Sequence, residues 1–464
     1  MTRTLLWFRD DLRVEDHPAL TFAVHAAGDD GDVVGLYVLD DETPGIRPLG
    51  GAARWWLHHA HSSLADRLRD LGIPLLIRRG TAAQQVPKVA QATNSTGVVW
   101  TRRYGGPERE TDAGVKEDLR ERGFTAHSFP GSLLQEPWTI STGGGGPYRV
   151  FTPFYQNLSD RPLRELLPIP QPMAEYSSVQ SSLAGAGVSL GAVDDLDLLP
   201  TRPDWAGGLR DHWTPTEEGG QQRLREFVQQ EGDIYTRARD VPSVQGTSLL
   251  SPYLRFGQMS PLSAWVASAD LDHEPSASTF RNELGWREFC WHLLYHFPDL
   301  PKKNLRAQFD AYPWRTQAQE PDVFRAWSAG ETGFPFVDAG MRELWQTGHM
   351  HNRVRMAAAS LLVKNLGIHW REGEAWFWDT LVDADAASNP ANWQWVAGSG
   401  ADAAPFFRIF NPERQRERFD PDDVYVRRWV PEFGSEDYPD PLVDLRASRQ
   451  QALAEYQQLR GGSG

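Results

Sequence analysis

Within residues 1–140, short apolar runs alternate with stretches of helical spacing. This alternation limits the fold more than any other feature of the chain. The runs are LLWF (5–8), VVGLYVLD (33–40), IPLLIRR (73–79), GVVWTRR (97–103) and FTAHSF (124–129). The helix-like stretches fall around 17–28, 51–71, 82–92 and 108–122. Continuous apolar strands separated by helices predict a parallel sheet covered on both faces. Ligands of such sheets sit beyond the carboxyl ends of the strands. The turn after the first run reads FRDDLRVEDH, without a glycine-rich dinucleotide fingerprint, and no Walker-type phosphate loop occurs. A nucleotide enzyme built on this half is not expected.

STGGGGPY (141–148) is a loop by composition, and from 168 to about 215 the chain is rich in Pro, Gly, Ser and Asp. Residues 141–215 are therefore expected to be an interdomain linker. From 216 onward helical spacing takes over, in QQRLREFVQQ (221–230), FRNELGWREFCWHLLYHF (280–297), VDAGMRELWQTG (337–348), HNRVRMAAASLLVKNLG (351–367) and GEAWFWDTLV (373–382). Two of these stretches end on a glycine stop. The fold class expected is α/β: an N-terminal doubly wound parallel sheet domain (1–140), the linker, and a large all-helical domain (216–464).

Forty per cent of the 464 residues are hydrophobic and 23% charged, which is globular composition. No apolar run approaches the ~20 residues needed to span a bilayer, and the N-terminus is not a signal peptide. The single cysteine, Cys290, excludes a disulfide framework and a multi-cysteine metal site. A cytoplasmic monomer without membrane contact is expected. The net charge of −15 argues against a general nucleic-acid binder. Residues 340–371, however, set Arg342, Arg353, Arg355, Lys364 and Arg371 against the lone acid Glu343. Tryptophan is abundant, 19 residues in all, and concentrated between Trp345 and Trp395. A large helical core accounts for that; so does a flat ligand or an electron path.

Four clusters in the helical half carry the chemistry. In GTSLLSPYLRFG (246–257), Thr247, Ser248 and Ser251 offer hydroxyls and backbone N–H groups ahead of a helix, suited to a phosphate or to an ordinary cap. In NELGWREF (282–289), Glu283 and Arg287 share a helix face with Trp286 between them. In HMHNRVRM (349–356), the spacing of His349, His351 and the later His369 lacks the two-His, i/i+4 pattern of zinc sites, and no metal is expected. In LVDADAASNPANWQW (381–395), Asp383 and Asp385 precede Asn389, Trp393 and Trp395. The acids read as a helix cap or a general acid/base pair, and no partnered nucleophile is evident.

Taken in order with LLWFRDDLRVEDHPAL, TGFPFVDAGMRELWQTGHMHNRVRM, LGIHWREGEAWF and FFRIFNPERQ, these clusters resemble the DNA photolyase and cryptochrome family. The resemblance spans nearly the whole chain, is strongest from 246 to 431, and is nearest to the prokaryotic class I cyclobutane pyrimidine dimer photolyases. It implies FAD bound in the helical domain. Tyr235, the run Thr247, Ser248, Leu249, Leu250 and Ser251, Phe280, and Asp383, Ala384 and Asp385 match FAD-contacting positions. Arg355 and Asp383 match an ion pair beside the isoalloxazine, and Asn389 the asparagine facing flavin N5. Leu249 departs from relatives with arginine there.

Glu283, Trp286, Arg287, Asn352, Arg353, Met356 and Trp395 match positions around the lesion pocket. Arg239 and Gln415 match DNA-contacting positions outside it. A fused pyrimidine pair must be flipped out of the stack to reach the flavin. Trp286 and Trp395 then offer stacking walls, Glu283 (when protonated) and Asn352 offer donors, and Arg239 and Arg353 hold flanking phosphates. Glu283 and Asn389 stand in catalytic positions, and Trp393, Trp370 and Trp314 match an electron-transfer relay. The activity implied is light-driven repair of DNA containing pyrimidine dimers. The alternative is a cryptochrome-type receptor without repair; the short stretch after Trp429 and the asparagine at 389 weigh against it. Asn352 and Met356 occupy the positions where enzymes repairing the (6-4) photoproduct carry histidines. His351 is expected to turn about 100° away along the helix. A second, antenna chromophore of folate or deazaflavin type remains unassigned: Glu108 sits near a folate-contacting position, but Pro107, Arg103 and Gly105 depart from either pattern.

Overall fold

The computed structural model describes residues 2–403 and 407–461. Five parallel strands, β1 (Arg3–Phe8), β2 (Asp32–Leu39), β3 (Leu75–Arg79), β4 (Gly97–Thr101) and β5 (Thr125–Phe129), form one sheet in the order β3-β2-β1-β4-β5. All neighbours run parallel, with Leu5 beside Val34 on one side and Val98 on the other. Every residue of β1 and β2 is buried, as a sheet covered on both faces requires. Leu5, Trp7, Val98 and Trp100 pack on helices Ala82–Ala92 and Gly106–Glu121. Leu6 and Phe8 point the other way, into a core shared with helices Pro18–Ala27 and Gly51–Asp70 and, beyond them, with Tyr253 and Phe256 of the helical half. All five expected strands and their four helices are present.

The segment 141–215 is more ordered than its composition suggests. It carries helices Phe151–Ser159, Tyr176–Gly185 and Gly207–His212. Val179 and Leu183 are buried on the sheet, and Leu190 O accepts from Ile77 N at 2.8 Å, so the chain covers the β3 edge. That protects an otherwise open row of strand N–H and C=O groups. Without a regular period, such a covering chain reads as linker.

The turn after β1 is the joint between the halves. Arg13, fully buried, donates to the carbonyls of Asp16, Gly131 and Gly257. Glu217 accepts from the N–H groups of Val14 (3.0 Å) and Glu15 (2.9 Å). Gly257 has φ +64°, and a Cβ there would stand 2.1 Å from Asp10 O, so the close approach of the two halves requires glycine. The charged FRDDLRVEDH turn thus occupies the place of a phosphate-binding loop with interdomain hydrogen bonds. Among the described residues no helix is long and apolar enough to cross a membrane.

Candidate active site in the helical half

A cavity of about 530 Å³ opens among the helices, within the size range of small-molecule and cofactor sites. Helix Glu274–His296 contributes Phe280, Glu283, Trp286 and Arg287 to its wall, helix Asn352–Ser360 contributes Asn352, Arg353, Arg355 and Met356, and helix Ser388–Ala397 contributes Asn389, Trp393 and Trp395. Tyr235, Arg239, Thr247 to Ser251 and Asp383 to Asp385 complete it. Residues drawn from over 160 positions of sequence therefore line one space. Of the expected site residues only Gln415, Trp314 and Trp370 stand outside it; Gln415 lies half-buried on helix Pro412–Phe419.

One side of the cavity is built to accept an anion. Arg223 donates to the carbonyls of Thr247 (3.1 Å) and Ser248 (3.0 Å). In a trans peptide the N–H points opposite to the C=O, so the N–H groups of Ser248 and Leu249 face away from Arg223. Among the described residues the backbone N–H groups of Thr247 to Leu250 have no protein acceptor. Leu249 holds φ 52° in this turn, a strained conformation for a branched side chain. The helix that follows, Ser251–Arg255, has no side-chain cap, so the ordinary-cap reading fails. The Ser251 hydroxyl, which also lines the cavity, donates to Asp383 Oδ2 at 2.7 Å.

Asp383 and Arg355 form a two-point ion pair at 3.1 and 2.9 Å. Burial pushes the Asp383 carboxyl up, but Arg355 and Ser251 outweigh it and hold the group below its ordinary value. Asp385 Oδ1 accepts from Ala387 N (2.8 Å) and Ser388 N (2.5 Å), which fastens the start of helix Ser388–Ala397, as the cap reading expects. Asn389 on that helix gives its amide nitrogen to Glu374 O (3.0 Å) and Oε1 (2.7 Å). Glu374 also pairs with Arg47, from the loop after β2, at 2.7 Å. Burial raises the Glu374 carboxyl against the pull of Arg47. With both amide hydrogens committed, Asn389 has only its Oδ1 to offer the cavity. A backbone N–H nest for a diphosphate, a fixed ion pair and an amide acceptor suit FAD, so the residues fit that cofactor. Arg223, Glu374 and Arg47 escape sequence reading, because nothing local marks them.

Trp286, also in the cavity wall, stacks on Phe151 (centroids 3.8 Å, planes 7° apart), and Phe151 stacks in turn on Tyr155. Trp395 is fixed by an Nε1 hydrogen bond to Asp402 O. Glu283 and Arg287, which share a helix face, do not pair with each other. Glu283 Oε1 accepts from Arg239 Nη1 at 2.7 Å, while Arg287 turns to Glu288 and Leu254 O. His351 is also placed differently: it is the N-cap of helix Asn352–Ser360, outside the helix, so the 100° rotation does not apply and it lines the cavity. Its Nδ1 accepts from Arg353 N, and burial pushes its pKa down to about 4, so the ring is neutral near pH 7. His369 caps helix Trp370–Thr380 in the same way.

Trp393 lines the cavity, Trp370 is fully buried, and Trp314 is half-buried. The rings of Trp314 and Trp370 both contact His369, at 4.8 and 5.5 Å. Trp393 lies against the helix carrying Trp370: a Cβ on Gly373 would stand 2.1 Å from its Cη2. In the sheet domain, Arg103 pairs with Asp112 at 2.6 Å, and burial raises the Glu108 carboxyl.

A parallel-sheet domain joined to a helical domain that encloses a flavin-shaped donor set defines a two-domain flavoprotein. The family described as DNA photolyase matches residues 4–173, and the FAD binding domain of DNA photolyase matches 280–435. The deoxyribodipyrimidine photo-lyase of Agrobacterium fabrum is 44% identical, over 97% of both chains. A bacterial class III photolyase from Agrobacterium tumefaciens superposes with a TM-score of 0.91 at 42% identity, covering 99% of this chain and 98% of the other. An archaeal photolyase from Sulfolobus tokodaii, solved with two FAD molecules, superposes with a TM-score of 0.81 at 28% identity, covering 98% and 100%. The chain belongs to the DNA photolyase/cryptochrome family and carries its FAD-binding domain. The expected class I type is not supported by these relatives, since the one of stated class is class III.

Proposed function

We propose that this enzyme repairs cyclobutane pyrimidine dimers in DNA by light-driven electron transfer. The observation that carries the reading is the single cavity lined by both the flavin-matching and the lesion-matching residues. Reduced FAD, when bound, supplies an electron to the dimer on absorbing blue or near-ultraviolet light and recovers it after the ring opens. The protein's own groups do the rest. The N–H groups around Ser248 and Leu249 would hold the diphosphate, the Asp383–Arg355 pair would hold the ring system, and Asn389, whose amide nitrogen is bound by Glu374, would offer its Oδ1 as an acceptor.

Trp286, backed by Phe151, and Trp395 sandwich the flipped bases and exclude water. Arg239 and Arg353 take the flanking phosphates, and Glu283 and Asn352 bind the base edges. Trp393, Trp370 and Trp314 would relay electrons from an external reductant toward an oxidised flavin. Opening a cyclobutane ring moves no hydroxyl group, so Asn352 and Met356 suit this lesion; His351, which lines the cavity, is held neutral near pH 7 by burial and so does not match the acid that the (6-4) photoproduct requires. The test is to irradiate the reduced enzyme with each defined lesion in a short oligonucleotide and separate the products by chromatography. Restored thymines from the cyclobutane dimer and an unchanged (6-4) product are expected. An inert cyclobutane dimer would point instead to signalling without repair, and a restored (6-4) product would overturn the lesion assignment.

A further inference from the structure

We propose that Asp240 is a positioning residue that aims Arg353 at a phosphate of DNA entering the cavity, an inference that rests on the repair reading above. Asp240 follows the short helix Tyr235–Ala238, and its carboxylate takes one edge of the Arg353 guanidinium: Nε at 2.9 Å and Nη2 at 3.0 Å. The outer edge is left open. Among the described residues the only contact of Nη1 is Met356 Sδ at 3.9 Å, and Arg353 and Met356 both line the cavity, whereas Asp240 does not. Phe419 lies under the guanidinium, 5.1 Å from its ring centroid, and restricts it from a third side. A guanidinium offers its N–H groups as a rigid planar fork, so fixing one edge fixes the direction of the other.

A second role follows from charge. Arg239 Nε lies 3.8 Å from the same Asp240 carboxylate, and Arg239 reaches on to Glu283. The order Glu283–Arg239–Asp240–Arg353 alternates in sign, so Asp240 stands between two guanidinium groups that would otherwise repel at the cavity mouth. Asp240 could instead act as a competitor that phosphate must displace. The geometry favours positioning, because the edge it occupies is not the one turned to the cavity.

The test uses the FAD-loaded full chain in the dark, with a labelled duplex containing one cis-syn thymine dimer and the same duplex undamaged. Asp240→Ala is expected to weaken binding of the dimer duplex by about tenfold, the scale of one charge-assisted contact, and to leave the undamaged duplex unchanged. Asp240→Glu should recover most of the loss. In Arg353→Ala the further change Asp240→Ala should cost nothing, because its effect passes through Arg353. Flavin content monitors folding, and Asp240→Asn serves if the alanine variant loses flavin. Unchanged or tighter binding of the dimer duplex, an equal loss on both duplexes, or additive losses in the double variant would each overturn the proposal. A wild-type protein that does not prefer the dimer duplex would overturn the repair reading itself, and the proposal with it.

Discussion

The two halves of this molecule treat charge in opposite ways. At the carboxyl ends of β1 and β4, where a doubly wound sheet ordinarily holds its ligand, the charged groups are drawn into ion pairs, although Arg9 Nε and Arg103 Nε have no hydrogen-bond partner among the described residues. Arg9 and Arg103 share Asp112, Asp10 holds Arg255 from the helical half at 2.6 Å, and Asp11 holds His17 at 3.0 Å. In the helical half the protein instead satisfies the backs of its polar groups and leaves their fronts open. Arg223 binds the carbonyls behind Ser248 and Leu249, and Glu374 binds the nitrogen of Asn389. The crevice of the sheet thus carries ion pairs that reach the helical half, while in the cavity Arg223 and Glu374 hold polar groups from one side.

Breaking the Asp383–Arg355 pair should have the largest effect. Asp383→Ala leaves Arg355, which is partly exposed, without its partner, at a cost near the low end of the ~3–5 kcal/mol for buried pairs. Flavin released per chain on denaturation should fall steeply, whereas Asp112→Ala in the sheet domain should retain it. Equal loss from both would mean that the halves do not divide the labour as described. The tryptophans sharpen the same contrast. Trp393→Phe should slow light-driven reduction of oxidised flavin but spare repair by chemically reduced enzyme. Trp100→Phe, altering a buried pair with Trp7 at 5.7 Å, should leave photoreduction rates alone.

Arg223→Ala tests the cradle more gently. It removes two charge-assisted hydrogen bonds from the Thr247–Ser248 turn, each worth about 1.5–3 kcal/mol at most. Titration with FAD should show weaker binding by a protein that remains folded. The smallest effect concerns the joint. Glu288, on the helix that also carries Trp286, accepts from Leu134 N and Gln135 N of the chain leaving the sheet. Burial pushes its pKa up to about 7 against the opposing pull of Arg287. The folded state then binds a proton that the unfolded state has lost, so this group's contribution to stability falls as pH rises from about 4.5 to 7. Unfolding midpoints of Glu288→Gln relative to wild type should therefore rise across that window, by on the order of 2 kcal/mol in stability. A flat difference would show that Glu288 does not titrate at the joint.

The parts legible in the sequence are those set by neighbours along the chain. Apolar runs gave the five strands, of which β1, β2 and β4 are buried throughout because both faces of the sheet are covered there, and the 3.6-residue period gave the helices of the second half. Nearly all of the residues that the ordered motifs single out line the cavity, although much of its apolar wall, such as Leu254, Leu293 and Phe377, carries no motif. What local spacing could not supply were the partners. Glu283 and Arg287 stand four apart, yet packing brings Arg239, 44 positions away, to Glu283. Arg47 and Glu374 are separated by 327 positions and meet only because the loop after β2 lies on helix Trp370–Thr380. His351 falls one residue outside its helix, which turns a presumed outward side chain into a cap on the cavity wall. Sequence by itself determined which elements form and which residue types they carry, since periodicity and propensity act over a few positions. Only tertiary structure decided which polar edges are satisfied and which are left open, because hydrogen bonds and ion pairs are made between whatever surfaces the burial of apolar area brings together.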